Sequence, residues 1–392
     1  MSDPNILNLL SEETYIEKMD TLNEIMEGIL IAQGGSIKPT SWSDVQQLVR
    51  FGLHKKVFSI GDQLTCEKDG VTLTFDVIGI DHDTPADPQF THSMTLCLHN
   101  IFQGVQFDQK EAFYAASIGL AAGTYNITIG EHPWVAAAVG KTYQFTLTHA
   151  LPENGQIVFN NAYNAAFSTV SSYATGADTT AIETVSVTEG NDGTNLGTIN
   201  NAGNPSNGIN SIQRALLGSN NYKESAIRQW LNSNKAAGSV WTQMTKFDRL
   251  PDWNSTLKGW MNGLDADFLA VVGKTTINTA RNTVSDGGGY DTTKDKFFLL
   301  SRENVYAGKE NSIDEGGAYP YYSNYSDHGS ASTGADTNRI KYSGSSASWW
   351  WLRSPYSGNA YTPRHVNGGG VVNGGYGAVY GDGGAVPACN II

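Results

Sequence analysis

The densest group of side chains that could perform chemistry is a short run of acids and histidines. Asp81, His82 and Asp83 are consecutive, and Asp87 and His92 follow closely. Carboxylates and imidazoles at this spacing could hold a divalent cation. The run lacks the glycine and the terminal glutamate of an EF-hand loop, so a polar loop after a strand is the favoured interpretation.

Motifs of known catalytic sites are absent from the sequence. The segment GGYGAVYG (374–381) is rich in glycine, but only eleven residues follow it. A dinucleotide-binding loop needs a following helix and an acidic residue about 20 positions later. No GKS or GKT triplet lies in a glycine-rich loop, and no G-x-S-x-G elbow or zinc-type CxxC or HExxH pair occurs. We therefore expect no enzyme activity, no metal and no cofactor.

The last part of the chain has an unusual composition. From Ser354 to Ile392 there are ten Gly, four Tyr and four Asn, and the only formal charges are Arg364 and Asp382. Lys, Glu, Gln, Met, Trp, Leu and Phe are missing, so the segment resembles neither an ordinary surface nor an ordinary core. Tyr with Gly, Ser and Asn is typical of binding loops. A flexible tail, or a tightly turned loop without a ligand, is the alternative.

A strand with the sequence SWWWLRSP (348–355) precedes this segment and must carry it. Alternation places Trp350 on one face and Trp349 and Trp351 on the other, so at least one of them belongs to the core. Arg353 is expected to pair with a buried carboxylate or with carbonyl groups at the base of the loops. A further strand is predicted at 294–306 and loops at 310–348.

A helix is predicted over residues 1–33, because apolar residues recur at spacings of four and three. Ser11 could cap its start, and Gly34-Gly35 would end it. Its seam is about two and a half heptads long, which is marginal alone but stable if several copies pack together. A single helix docked on its own domain is the alternative to an oligomer.

Residues 41–104 show a change of period from helix to strand. A helix is predicted from Trp42 to Leu53, with Ser43 and Gln46 as a capping box. Alternating apolar residues then predict two strands joined by a hairpin turn at Asp69-Gly70.

A separate β-rich insertion is predicted at 105–205. Its short alternating segments are joined by Gly and Asn turns, which is typical of a small β-sandwich or meander. The stretch 191–210 is of low complexity and reads as a linker.

Bulk properties exclude several classes of partner. The formal net charge is −13, which disfavours nucleic acid and anionic lipid surfaces. Three cysteines cannot form a complete disulfide framework, so free thiols in a reducing compartment are expected. The acidic start lacks the pattern of a signal peptide, and no apolar run approaches the ~20 residues of a membrane helix. We expect a protein made in a cytoplasm and not inserted in a membrane.

The WWLRSP motif (350–355), the Gly/Asn/Tyr-rich run after it and the apolar end AVPACNII resemble the variable proteins of diversity-generating retroelements. These proteins have a C-type-lectin-like fold and are common in phages and prophages of gut bacteria. The segments IGDQLTCEKDGVTLTFDVIGIDHD, NNYKESAIRQWLNS and DKFFLLSRENVY also resemble that fold. No Glu-Pro-Asn or Gln-Pro-Asp triplet supports calcium-dependent sugar binding, and no cysteine motif matches the formylglycine-generating enzymes of similar fold.

The resemblance implies an α+β fold: a C-type-lectin-like (formylglycine-generating-enzyme-like) domain with a sandwich-like β-rich insertion. The predicted units are an N-terminal oligomerisation or attachment helix (1–35), the first part of the lectin-like domain (41–104), the insertion (105–205), and the second part of the lectin-like domain (206–392) with a variable region at about 354–388.

The family's mechanism explains the composition. A template repeat is copied with errors at adenines, and AAY codons altered in this way cannot yield Lys, Glu, Gln, Met or Trp. Val366, Val371, Val372, Ala378 and Val379 would be fixed positions that pack inward. The candidate ligand-binding positions are Tyr356, Asn359, Tyr361, Thr362, Arg364, His365, Asn367, Asn373, Tyr376, Tyr380 and Asp382.

The function implied by the resemblance is that of a phage or prophage receptor-binding or display protein on the virion. Its partner would be a host cell-surface protein or glycan, and the N-terminal helix would make it a homo-oligomer, such as a trimer. A bacterial surface adhesin of the same family and a structural decoration protein of the virion are the alternatives.

Overall fold

The computed structural model describes residues 12–32, 37–160, 166–167, 181–323 and 337–392. In these ranges the chain combines many short strands with a few helices, which confirms the predicted α+β class. A search of the same ranges finds no helix with the length and apolar character needed to span a bilayer.

The helices are short except for the first. They are α1 (Glu12–Ala32), α2 (Trp42–Arg50), α3 (His54–Val57), α4 (Ile212–Leu217), α5 (Ala226–Leu231), α6 (Ala266–Val271) and α7 (Pro320–Ser323). Short 3₁₀ turns cover Ala136–Ala138, Pro205–Asn207, Asp252–Ser255 and Thr337–Arg339.

Helix α1 confirms the predicted N-terminal helix over 12–32, while its predicted cap at Ser11 and its stop at Gly34-Gly35 lie outside the described residues. Leu30 is buried and Met26 packs against the core. Leu22, Ile25 and Ile29 lie on one face of the helix and are largely exposed.

The capping box predicted for α2 is wrong. Ser41 has an extended backbone and is the N-cap: its side chain accepts from the amide of Asp44, whose carboxylate accepts from the amide of Ser41. Ser43 lies inside the first turn, where its side chain cannot cap, and the helix ends at Arg50, before the predicted Leu53.

The strands fall into three sequence groups. Before the insertion lie β1 (Gln63–Lys68), β2 (Val71–Ile80) and β3 (Met94–Leu98). In the insertion lie β4 (Tyr114–Ala115), β5 (Gly123–Ile129), β6 (Thr142–Leu147), β7 (Gln156–Phe159), β8 (Ile182–Val185), β9 (Thr188–Glu189) and β10 (Thr194–Ile199). After it lie β11 (Val272–Gly273), β12 (Thr275–Ala280), β13 (Tyr290–Asp295), β14 (Phe297–Phe298), β15 (Lys341–Ser343), β16 (Ser346–Ser348), β17 (Trp350–Pro355), β18 (Pro363–Val366), β19 (Val372–Asn373) and β20 (Ala388–Ile391).

One sheet joins the strands before the insertion to the last strand of the chain. Its order is β1-β2-β3-β20-β11, with β14 also paired to β20, so the last strand of the chain lies beside β3. The predicted hairpin is confirmed, because Lys68 pairs with Val71 and both Asp69 and Gly70 have positive φ. The three cysteines, Cys66, Cys97 and Cys389, are buried and free, as predicted.

The insertion has an apolar core of its own. Two sheets, β10-β5-β6-β9 and β4-β7-β8, contribute to one cluster of buried side chains, and α4 adds residues such as Ile212 and Leu216. The prediction of a linker at 191–210 is wrong for Thr194–Ile199, which forms an edge strand parallel to β5. Its polar sequence suits a half-exposed edge and carries little apolar alternation.

The C-terminal half confirms the predicted strand at 348–355 as β17, the first strand of the sheet β17-β18-β19. The strand predicted at 294–306 is only partly correct: β13 and β14 end by Phe298, and turns follow. The predicted loop region 310–348 contains the hairpin β15-β16 and the short helix α7, and residues 324–336 lie outside the described part of the chain.

Candidate functional site

The strand β17 is the buried support of the Gly-rich segment. All of its residues are buried. The indole Nε1 of Trp350 donates to the carbonyl of Arg339, and the indole Nε1 of Trp351 donates to the carbonyl of Val105, each at 2.9 Å. The prediction that at least one of the tryptophans is core is therefore confirmed for two of them. Trp349 is half-buried and turns toward the loops.

Arg353 is buried beneath the loops and binds carbonyl groups, as predicted. Its guanidinium donates to the carbonyls of Leu299 (2.8 Å) and Glu315 (2.6 Å) and to Oδ1 of Asn304 (2.6 Å). The carboxylate of Glu315 accepts from the hydroxyl of Ser354 at 2.6 Å. Burial raises the pKa of Glu315, and the charge of Arg353 opposes that rise. These contacts tie β17 to the two segments on either side of it.

The predicted ligand-binding positions differ in exposure. Tyr356, Tyr376 and Tyr380 are 39%, 42% and 44% exposed, and Asp382 is exposed as well. Thr362 and His365 are buried. The remaining positions are half-buried: Asn359, Tyr361, Arg364, Asn367 and Asn373.

A pocket of about 460 Å³ brings four of the predicted positions together. It lies among β16, β18, β19 and the glycine loop after β19. Its volume is within the range of small-molecule sites in proteins. Its lining consists of Ala347, Ser348, Trp349, His365, Asn367, Gly368, Asn373, Gly374, Gly375 and Tyr376.

Aromatic rings form one side of the pocket. The rings of Trp349 and Tyr376 are stacked, with centroids 4.6 Å apart and planes at 24°. The ring of His365 lies 4.8 Å from Tyr376 and 5.4 Å from Trp349, and Tyr380 meets Tyr376 edge-on at 5.8 Å. The predicted ligand-binding positions did not include Trp349, because its contact with Tyr376 joins residues whose spacing in the sequence does not reveal it.

His365 is a neutral, buried imidazole in this cluster. Burial, with the nearby charge of Arg364 adding to it, lowers the pKa of His365 to about 4. Its Nδ1 has no hydrogen-bond partner among the described residues. A buried polar atom without a partner destabilises the folded protein, so a ligand group that forms a hydrogen bond to Nδ1 would bind favourably.

The two asparagines of the pocket have different roles. Oδ1 of Asn367 accepts from the amides of Gly369 (2.9 Å) and Val371 (3.1 Å), so that side chain shapes the turn between β18 and β19. The side chain of Asn373 makes no hydrogen bond within the described ranges, which leaves a donor and an acceptor facing the pocket.

The other half-buried positions lie outside the pocket. The guanidinium of Arg364 lies 4.4 Å from the ring of Tyr356 and donates to the carboxylate of Glu310 at 2.8 Å. Oδ1 of Asn359 accepts from the amides of Tyr361 (3.2 Å) and Thr362 (2.9 Å) and so holds a turn.

Tyr361 contacts the insertion. Its ring lies 5.5 Å from that of Trp134, which is 53% exposed. The predicted sites did not include Trp134, because the two residues are far apart in sequence and only the fold brings them together. The insertion therefore adds an exposed aromatic side chain beside the predicted surface.

The glycines of the segment differ in whether a side chain would fit: at open positions a Cβ would meet no neighbour, and at closed positions it would collide with one. At Gly375 and Gly381, a Cβ would meet no described atom within 4 Å. At Gly377 it would lie 2.9 Å from the side chain of Leu217, and at Gly383 it would overlap the buried indole of Trp351. Of the valines and the alanine predicted to pack inward, Val366, Val372 and Ala378 are buried, while Val371 and Val379 are half-buried.

The acid and histidine run at 81–92 is occupied by internal hydrogen bonds. Asp81 pairs with His92 at 3.0 Å. The half-buried carboxylate of Asp83 accepts from the hydroxyls of Tyr319 (2.8 Å) and Thr95 (2.7 Å). A search of the described residues for three or more His, Cys, Asp or Glu side chains that could share a metal ion finds no such group.

A comparison with protein families matches the second half of the chain. The family model described as "Domain of unknown function (DUF6273)" matches residues 199–392, just under half of the chain. Neither the curated proteins nor the solved structures contain a significant match.

Gly383→Ala should destabilise the protein because the new methyl group overlaps the buried Trp351 ring. Overpacking of this kind costs about 1–3 kcal/mol. Gly381→Ala, two residues away, meets open space and should leave the free energy of unfolding unchanged or raise it by up to ~1 kcal/mol. Urea unfolding of the two variants measures both values. Equal stability of the two variants would contradict the division into open and closed glycines.

Acid should destabilise the parent protein through His365. The folded pKa of His365, about 4, lies below the unfolded value of 6.5, so its contribution is fully present above pH 6.5. This contribution is lost as the pH falls toward 4 and amounts to at most roughly 3 kcal/mol. The stability difference between the parent and His365→Gln, measured by urea unfolding from pH 4 to 8, should shrink in that window. A difference independent of pH would show that His365 titrates normally.

Proposed function

We propose that this protein is a non-catalytic receptor-binding or display protein of a phage or prophage. A C-type-lectin-like frame would present a diversified C-terminal surface to a ligand on the host cell, and the protein would reside on the virion. The observation that carries the proposal is the pocket in which His365, Asn367, Asn373 and Tyr376 lie together above a buried strand.

The distribution of exposure supports a surface that tolerates substitution. Some positions face outward: Tyr376 and Tyr380 are exposed, and a side chain at Gly375 would meet no neighbour. Adjacent positions face inward: Ala378 is buried, and a side chain at Gly377 would contact Leu217. Substitutions at the first set would change the surface without entering the core. Substitutions at the second set would create overlaps or cavities.

The ion pair between Arg364 and Glu310 also supports a surface that tolerates substitution. Glu310 is buried, and although burial raises its pKa, bonds to Arg364 and to the amide of Ser357 hold that pKa below the usual value. Arg302, outside the variable region, also donates to Glu310 at 3.0 Å. If position 364 changed, Glu310 would still have a cationic partner, so the costly case of an unpaired buried charge would not arise.

The lectin-like part of the proposal rests on the sequence resemblance and on the path of the chain. The variable region leaves the frame at β17 and returns to it at β20, which pairs with β3 in the sheet of the first part. Both ends of the variable region are therefore anchored in buried strands, as the proposed role requires.

We also propose that α1 assembles several copies of the chain. Its exposed face of Leu22, Ile25 and Ile29 is apolar and would be buried against the same face of other copies. Several binding surfaces on one particle would raise the avidity for a cell surface.

Tyr376→Ala combined with Tyr380→Ala should weaken binding to host cells without unfolding the protein. Aromatic side chains at the centre of an interface carry much of its energy, so we expect a loss of about tenfold or more. Labelled protein would be titrated onto a panel of gut bacterial strains. Tyr290→Ala with Tyr342→Ala removes two rings of similar exposure outside the pocket and should bind as the parent does. Equal binding by the two double variants, or no binding by the parent, would contradict the proposal.

Replacing Leu22, Ile25 and Ile29 with Ser should convert a trimer into monomers, because the apolar seam is lost. Multi-angle light scattering of the full chain measures the mass. Asp20→Ser with Glu24→Ser changes exposed polar positions of the same helix and should leave the mass unchanged. A monomeric parent would contradict the assembly role of α1.

A further inference from the structure

We propose that the pocket beside Trp349 and Tyr376 binds one uncharged sugar ring, the exposed unit of a host-surface glycan. This inference rests on the proposed function and names the ligand class of the same pocket. It depends on three features of the lining: its aromatic face, its neutral hydrogen-bonding groups and its lack of ionised side chains.

The aromatic face suits the apolar side of a pyranose ring. Tyr376 is 42% exposed and its ring is stacked on Trp349, so the ring is already held in one orientation. A sugar presents a face of C–H groups that packs on such rings, which have a negative face and a large apolar area. Because Trp349 and His365 hold the tyrosine ring in place, little side-chain entropy is lost when a ligand packs on it.

The polar groups of the lining suit a ligand that carries hydroxyl groups. The amide of Asn373 offers a donor and an acceptor that no described residue uses. The imidazole of His365 is neutral at physiological pH, because its pKa is near 4, and it too has one donor and one acceptor. Sugar hydroxyls both donate and accept, so amides and a neutral imidazole match them without an ion.

The charge of the lining favours a neutral ligand. The described lining contains no Asp, Glu, Lys or Arg side chain, and the neighbouring Arg364 is paired with Glu310. A carboxylated or phosphorylated ligand would meet no free cation there.

The shape of the pocket favours a small molecule, rather than the flat surface of another protein, as the ligand. The pocket holds about 460 Å³, which lies within the range of roughly 300–1,000 Å³ that is typical of small-molecule sites. A ring that enters the pocket would also meet the glycine backbone at Gly374 and Gly375, which line it.

Saturation-transfer NMR on the full chain tests the sugar directly. The probes are the methyl glycosides of galactose, glucose, mannose, N-acetylglucosamine and N-acetylgalactosamine, with the open-chain alditols and glucuronic acid as matched controls. At least one methyl glycoside should bind, and its alditol and the acid should not. Tyr376→Ala and Asn373→Ala should each weaken that binding by on the order of tenfold, while Tyr290→Ala should not. Failure of every glycoside, or binding that survives Tyr376→Ala, overturns the proposal.

Treated host cells separate this inference from the proposed function. Mild periodate cleaves vicinal diols of glycans, and protease removes surface proteins. Binding lost after periodate and kept after protease supports the sugar. Binding lost after protease alone, and still dependent on Tyr376 and Tyr380, rejects the sugar while the receptor-binding function stands. Binding that does not depend on these tyrosines rejects both.

Discussion

A guanidinium taken out of water must recover its lost hydration from well-placed acceptors, or the fold loses several kcal/mol. Arg353 meets this requirement at its two terminal nitrogens, which donate to the carbonyls of Leu299 and Glu315 and to the amide oxygen of Asn304, while its buried Nε has no partner among the described residues. The same residue belongs to the strand from which the Gly-rich segment begins. The position of that segment therefore depends on how this one cation is satisfied, with Trp350 and Trp351 fixing the strand on its two faces.

A frame of this kind separates stability from surface chemistry. The strands β17, β18 and β20 contribute buried apolar side chains to the main core, whereas the loops between them carry mainly Tyr, Asn and Gly. Exposed substitutions usually change stability by less than ~0.5 kcal/mol. In the proposed function, side chains on the loops would change the ligand while the buried strands keep the fold.

Local patterns predicted the elements that local physics controls. Alternation identified β17 and the β1–β2 hairpin, and cysteine number predicted free thiols. The N-cap is Ser41 rather than the predicted Ser43, because a cap requires an extended backbone that the sequence pattern does not show. Thr194–Ile199 forms a strand rather than the predicted linker, because it pairs with β5, which is distant in sequence. The stacking of Trp349 on Tyr376 and the contact of Trp134 with Tyr361 join residues distant in sequence, so spacing could not reveal them.

The central claim is that the outward positions of the C-terminal segment can change without cost to the buried frame. Two libraries test it by proteolysis-resistant display: one randomises Asn373, Gly375, Tyr376, Tyr380 and Gly381, and the other randomises Val366, Val372, Gly377, Ala378 and Gly383. The account predicts that most members of the first library stay folded and most of the second do not. Similar folded fractions in the two libraries would contradict it.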